Sequence, residues 1–152
     1  MTLPQLVHET LVFERSYKAP PERIFDAWRD PESRARWTAP ADGTAVEFDR
    51  FDFRTGGIEV SRCGAIGDLR YRVEAHYLDI VAGERIVFAE AVSEGGKLMG
   101  AALITVRIEA EQGGSRLTLT DQALSVGDRG YIDGSRQGYR AALENLAREV
   151  ER

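Results

Sequence analysis

Residues 58–119 read IEVSRCGAIGDLRYRVEAHYLDIVAGERIVFAEAVSEGGKLMGAALITVRIEAEQGGSRLTL. Glycines punctuate this stretch at Gly64 to Asp68, Gly83, Gly95-Gly96 and Gly113-Gly114. Between them apolar residues alternate with polar ones, the period of a strand with one buried face. Strands are expected over 58–63, over 69–81, around Ile86, Phe88 and Val92, over 98–110 with Ile104, Val106 and Ile108, and around Leu117 and Leu119. Short glycine turns between successive strands mean an antiparallel meander. In 69–81 the apolar parity of Leu69, Tyr71, Val73, Ala75 and Tyr77 passes to Leu78 and Ile80, which predicts a bulge.

Upstream, AVEFDRFDF (45–53) adds a strand. Val46 and Phe48 share one parity, Phe51 and Phe53 the other, and a single-residue bulge puts all four on one face. ETLVFERSYK (9–18) is a first strand with Leu11, Phe13 and Tyr17 on one side and Arg15 interrupting them. Two short helices separate these strands. In the first, Pro21 sits in the opening turn and Ile24, Phe25 and Trp28 share a face. Asp30-Pro31 supplies the cap and first residue of the second, which ends near Trp37. All five prolines precede residue 41, so the rest of the chain is free to form uninterrupted ladders.

Downstream the period changes to helical. Tyr139, Ala142, Leu143, Leu146 and Val150 lie on one face, and Tyr131, Ile132 and Ser135 extend it if the helix begins as early as Asp128. The other reading leaves 125–134 as loop, with only Gly138 of the Gly130, Gly134 and Gly138 series helical. The fold is therefore α+β: a curved seven-stranded antiparallel sheet, two short helices after the first strand and a long C-terminal helix, in a single domain over residues 1–152. One helix cannot fill the concavity of a strongly curved sheet, so a cavity between the two is expected.

Composition narrows the function. Twenty basic and 25 acidic residues give a net charge of −5, which disfavours nucleic-acid backbones and anionic membrane surfaces. One cysteine, Cys63, leaves no intrachain disulfide, and two histidines, His8 and His76, leave no clustered metal centre. No metal, phosphate-loop or nucleophile-elbow motif is present, so no metal and no cofactor are expected. The N-terminus lacks the pattern of a secretory leader, and the expected location is cytoplasmic.

Candidate chemistry is sparse. His76 is either a cavity acid/base group or an exposed strand residue. Cys63 is either a nucleophile or a small core residue, and Arg54 either holds an anionic ligand or is a surface arginine at a turn. Glu90 and Asp121 share parities with apolar neighbours. Each is an inward carboxylate that polarises a ligand or pairs with Arg15 or Arg107, or else it is exposed at a strand end. The expected cavity lining is Trp37, Phe53, Tyr71, Phe88, Glu90, Tyr131, Ser135 and Tyr139; Trp28 and Phe88 also suit plain core.

These motifs carry a resemblance. FERSYKAPPERIFDAWRDPESRARW (13–37) and Pro40, the run Phe51-Asp52-Phe53-Arg54-Thr55-Gly56-Gly57, the pair Tyr77-Leu78-Asp79-Ile80 and Glu84-Arg85-Ile86-Val87-Phe88, and Gly138-Tyr139 with Leu143 and Leu146 occur in order. Together they resemble the SRPBCC (START-like, helix-grip) superfamily, in its heat-shock-protein-90 ATPase activator-like family. The chain departs from that pattern at Thr38-Ala39, Thr55 and Tyr139, where tryptophan-glycine, proline and tryptophan are usual. The resemblance implies a helix-grip fold and a small hydrophobic or aromatic ligand held between helix and sheet. The alternatives are a cyclase- or hydrolase-type enzyme of the same fold, polyketide-cyclase-like, and a protein-interaction or chaperone-cofactor module. Edge strands leave a homodimer open.

Overall fold

Each glycine turn returns the chain beside the strand before it, and seven strands accumulate in one antiparallel sheet ordered β1-β7-β6-β5-β4-β3-β2. The computed structural model describes residues 5–39 and 41–152. Pro40 of the family-like motif and the first four residues of the N-terminus lie outside the described residues. The strands are β1 (Leu6–Tyr17), β2 (Thr44–Phe51), β3 (Ile58–Ala65), β4 (Asp68–Val81), β5 (Arg85–Glu94), β6 (Lys97–Glu111) and β7 (Gly114–Val126). Helices α1 (Pro21–Arg29) and α2 (Pro31–Trp37) follow β1, and α3 (Gly130–Val150) ends the chain.

Both expected bulges are present, one between Phe48 and Arg50 of β2, the other between Tyr77 and Asp79 of β4. Further register shifts occur at Cys63/Ala65 and where Ser93 steps to Leu98. Each bulge bends its strand, so the sheet curves around α3. Asp30 caps α2 as its position suggests, its carboxylate accepting from the Glu32 N–H at 3.2 Å.

The core lies between the concave face and the helices. Ile86, Ile104, Val106, Leu117 and Leu119 of the sheet meet Ile132, Leu143 and Leu146 of α3, and all are essentially inaccessible to water. A fully buried leucine or isoleucine contributes about 1.5–3 kcal/mol relative to exposure. Polar tethers fix the helix over this surface. Tyr17 Oη donates to the Leu143 carbonyl at 2.8 Å, and Arg23 Nε donates to the Val150 carbonyl at 2.6 Å, covering the carbonyl end of α3. The helix begins at Gly130, so Gly130, Gly134 and Gly138 are all helical and the loop reading of 125–134 is overturned. The Asp128 carboxylate accepts from the Gly130 N–H at 2.8 Å and supports that early start. Among the described residues no helix is long and apolar enough to cross a membrane.

Candidate functional site

The α3 positions 131, 135, 138 and 142 follow helical spacing and form a stripe beside the core stripe of 132, 143, 146 and 150. Core residues reach the sheet. The neighbouring stripe of Tyr131, Ser135, Gly138 and Ala142 instead borders a cavity of about 230 Å³. Its opposite walls are Val46 and Phe48 of β2, Glu59, Ser61 and Cys63 of β3, Val73 and Ala75 of β4, and Phe88, Glu90 and Val92 of β5. Trp28, Arg34, Trp37 and Thr38 close one end, and Tyr139 completes the helix side.

The register explains why there is room. A row of inward positions runs across the sheet from Glu59 to Ala75, Glu90, Ala102 and Ala123. Alanine alternates with carboxylate on the first three of these strands, and the short side chains leave a trough under the helix. One row away stands Gly100, paired with Val92. A β-carbon there would lie 2.3 Å from the Tyr131 ring, so the missing side chain lets Tyr131 lie against the sheet.

One end of the cavity is a buried ion pair. Arg34 Nη2 donates to Glu59 Oε2 at 2.9 Å, and both side chains are at most 10% exposed. Tyr77 Oη donates to the other Glu59 oxygen at 2.6 Å, and Arg34 Nη1 donates to the Trp28 carbonyl at 3.2 Å. The guanidinium lies within 6 Å of the rings of Phe48 and Phe51, at 5.6 and 5.7 Å. Burial opposes its charge, but Glu59 and Tyr77 beside it hold it protonated. Trp37 Nε1 donates to the Ala27 carbonyl at 2.9 Å, and its ring packs edge-on against Trp28 at 4.7 Å.

The wall around Glu90 is acidic, and among the described residues no cation is bonded to it. Glu90 projects from β5, and Tyr131 Oη reaches its Oε1 at a long 3.4 Å. Burial pushes the Glu90 carboxyl up to about 7, with help from Asp121 and Glu59 nearby. Asp121 on β7 is fully inaccessible, and neither carboxylate oxygen has a hydrogen-bond partner among the described residues. Burial pushes it up to about 6. Arg15 pairs with Glu144 and Arg107 with Glu109, so the expected pairing of either arginine with these carboxylates is corrected. Both acids point inward because their parity is that of Phe88 and Leu119, and neither is exposed at a strand end.

Six of the eight residues expected to line a cavity come together here: Trp37, Phe88, Glu90, Tyr131, Ser135 and Tyr139. Phe53 and Tyr71 do not. Phe53 follows the end of β2 and, partly buried, packs against the core through Phe25 at 5.6 Å and Tyr77 at 5.0 Å. Tyr71 shares the inward parity of Val73 but stands one step closer to the start of β4, outside the lining. His76 lies on the outer face, half exposed beside Glu74, and takes no part in the cavity. Arg54 is exposed and bonded to Asp52 at the turn. Cys63 is a free thiol in the cavity wall, and burial pushes it up, as does Glu90.

Sequence reasoning missed Arg34, Glu59 and Ser61. On β3 the apolar residues Ile58 and Val60 suggest the inward parity, yet Glu59 and Ser61 are the buried pair. A signal was present in α2, where Ser33, Arg34 and Trp37 share a face at helical spacing and all three are buried.

The sequence model of the activator of Hsp90 ATPase homolog 1-like protein family matches residues 18–151. No curated protein matches the chain. Among solved structures, a protein of Rhizobium leguminosarum is similar at 36% identity, over 99% of each chain, with a TM-score of 0.84. One from Rhizobium loti is 36% identical over 96% of this chain and 99% of its own, with a TM-score of 0.81. The solution structure of an AHSA1-like protein from Aeromonas hydrophila shares the fold at 21% identity, over 94% of this chain and 92% of its own, with a TM-score of 0.72.

Proposed function

Because the chain belongs to the activator of Hsp90 ATPase homolog 1-like family, we propose that it uses the helix-grip cavity to bind a compact, largely hydrophobic or aromatic small molecule. The observation that carries this reading is the cavity of about 230 Å³ walled by six aromatic rings and a few polar groups. Binding sites for small molecules have that make-up. An apolar cavity of about 150 Å³ already accepts benzene, so this one suits a substituted single ring or a small fused pair. Affinity would come from burying ligand carbon at about 25 cal/mol per Å², with Glu90, Ser61, Ser135 or a tyrosine hydroxyl setting orientation.

One observation favours a second reading, an enzyme of the cyclase or hydrolase type. A carboxyl pushed up to about 7 in an apolar cavity, within reach of a tyrosine hydroxyl, is equipped for general acid–base work near neutrality. Turnover of a bound molecule, lost in Glu90→Gln with binding retained, would establish it. A protein-interaction module needs no interior space, and the cavity argues for the small-molecule readings over that one.

Gly138 provides the test. It borders the cavity, and a β-carbon built on it meets nothing within 4 Å. Gly138→Ala is expected to stabilise the helix by about 0.5–1 kcal/mol, a rise in melting temperature of roughly 1–4 °C. Gly138→Leu places a branched side chain in the empty volume. The expected result is a folded protein that no longer shows the thermal shift or native-mass adduct that the parent shows with aromatic compounds. A parent protein with no adduct and no shift across a broad aromatic library would sink the proposal.

A further inference from the structure

We infer that the ligand carries one cationic nitrogen on its apolar or aromatic body, and that Glu90 is the counter-charge that receives it. This rests on the small-molecule reading above and goes on to state the ligand's charge.

Arg34 is the cation among the described lining residues, and it is already committed. Its two terminal nitrogens serve Glu59, the Trp28 carbonyl and Tyr77, while its Nε is enclosed and has no partner among the described residues. An anionic ligand would find, among the described lining residues, only a guanidinium already neutralised by Glu59, whose one unpartnered N–H is enclosed. Glu59 is likewise committed, both oxygens being occupied by Arg34 and Tyr77. Glu90 is different. One oxygen receives only the long Tyr131 contact, the other has no protein donor among the described residues, and the free surface of the side chain borders the cavity. Behind it, Asp121 is completely enclosed with two unpartnered oxygens and adds negative potential from β7.

The rest of the wall suits a cation. Trp28, Trp37, Phe48, Phe88, Tyr131 and Tyr139 border the same space. Aromatic faces attract cations, most strongly where water is excluded, and aromatic enclosures commonly recognise ammonium groups. An amine head thus meets a carboxylate and ring faces together, while its hydrocarbon body fills the remaining volume.

Affinity for such a ligand depends on pH with a definite sign. The groups facing Glu90 are Glu59 and Cys63 on β3, Arg34 on α2, Asp121 on β7, and Tyr131 and Tyr139 on α3. Glu90 is itself held near 7 by burial, so it is mostly protonated at pH 6 and mostly ionised at pH 8. A cation binds the ionised form and gains affinity as pH rises. A neutral hydrogen-bond acceptor prefers the protonated form and loses it.

The experiment titrates the full chain with benzylamine, benzyl alcohol and benzoate at pH 6 and pH 8, by calorimetry or NMR. Benzylamine is expected to bind more tightly than benzyl alcohol at pH 8, with its affinity about tenfold lower at pH 6 because the competent carboxylate is then the minor form. Glu90→Gln, close to isosteric, should erase both the preference for the amine and the pH dependence. If that variant fails to fold, the comparison of the parent at the two pH values decides alone. Equal binding of amine and alcohol, tighter benzoate, or an unchanged preference in Glu90→Gln overturns the inference and leaves the cavity reading standing. Failure of all three probes, together with no hit from the aromatic library, overturns the cavity reading itself.

Discussion

Arg34→Met is expected to lower stability by about 3–5 kcal/mol, the usual result of stranding one member of a buried ion pair. In a domain of this size that is a fall in melting temperature of roughly 6–20 °C. The physical cause is Glu59, not the lost attraction. Its side chain is 6% exposed, and without the guanidinium at 2.9 Å its charge is held in an apolar setting by the Tyr77 hydroxyl alone. Adding Glu59→Leu to Arg34→Met should therefore restore much of the loss, since an apolar pair of similar volume carries no desolvation penalty. Urea unfolding of the parent, the two single variants and the double variant closes the cycle. A loss below about 1 kcal/mol in Arg34→Met would show that the pair is better hydrated than its burial indicates. The same cycle speaks to function, because the pair closes one end of the cavity, and a ligand that still binds the double variant owes nothing to it.

The second large effect is a pH dependence with an unusual direction. Asp121→Asn should stabilise the protein at pH 8 and change little near pH 4. The sign follows from linkage. The folded-state carboxyl is raised from 3.8 to about 6, so the folded protein binds this proton more tightly than the unfolded chain does. Stability is then greatest below the unfolded value, declines as pH rises through the interval, and stays low above the folded value. The displacement from 3.8 to about 6 corresponds to about 3 kcal/mol, the upper limit for the gain in Asp121→Asn at pH 8. Glu90 acts in the same direction between 4.5 and about 7, so the double variant should flatten the curve further. The arginine-paired surface carboxylates Glu9, Asp49, Glu144 and Glu149 are held low, and their effect falls below pH 4.5, outside this window. Urea midpoints from pH 4 to 8 measure the effect. A parent stability that does not decline between pH 5 and pH 8, with Asp121→Asn following the same curve, would mean that Asp121 is hydrated or paired in solution.

Such a carboxylate needs a reason to persist. An isolated buried charge costs stability, and an apolar side chain would carry no such cost at this position among Leu11, Ile104 and Leu119. Retaining it beside Glu90 is consistent with a cavity whose negative potential is part of its use, which is the content of the cation inference.

Much of this molecule is legible along the chain. Local rules are enough for the glycine turns, the Asp30-Pro31 start of α2, and the bulges at Asp49 and Leu78, because each depends on residues within a few positions of one another. Glu90 and Asp121 also fall within reach, since strand parity places them with Phe88 and Leu119. Phe53 misleads because the chain leaves the strand after Phe51, and period-two counting stops where pairing stops. Arg34 and Glu59 escape for a different reason. Arginine on a short helix and glutamate on a strand both suggest solvent, and the only local sign otherwise is that Arg34 shares a helix face with Trp37.

The amino-acid sequence by itself determined the order of seven strands and three helices, the antiparallel meander and the inward stripe of α3 from Tyr139 onward. Periodicity and turn chemistry act locally, so they survive without knowledge of the partner surface. Only the tertiary structure decided which polar groups are enclosed and what charge they carry. Arg34 meets Glu59 across 25 positions, and Tyr131 meets Glu90 across 41. Desolvation is a property of everything packed around a group, and the layers around Glu90 and Asp121 come from elements that only the folded sheet and its helix bring together.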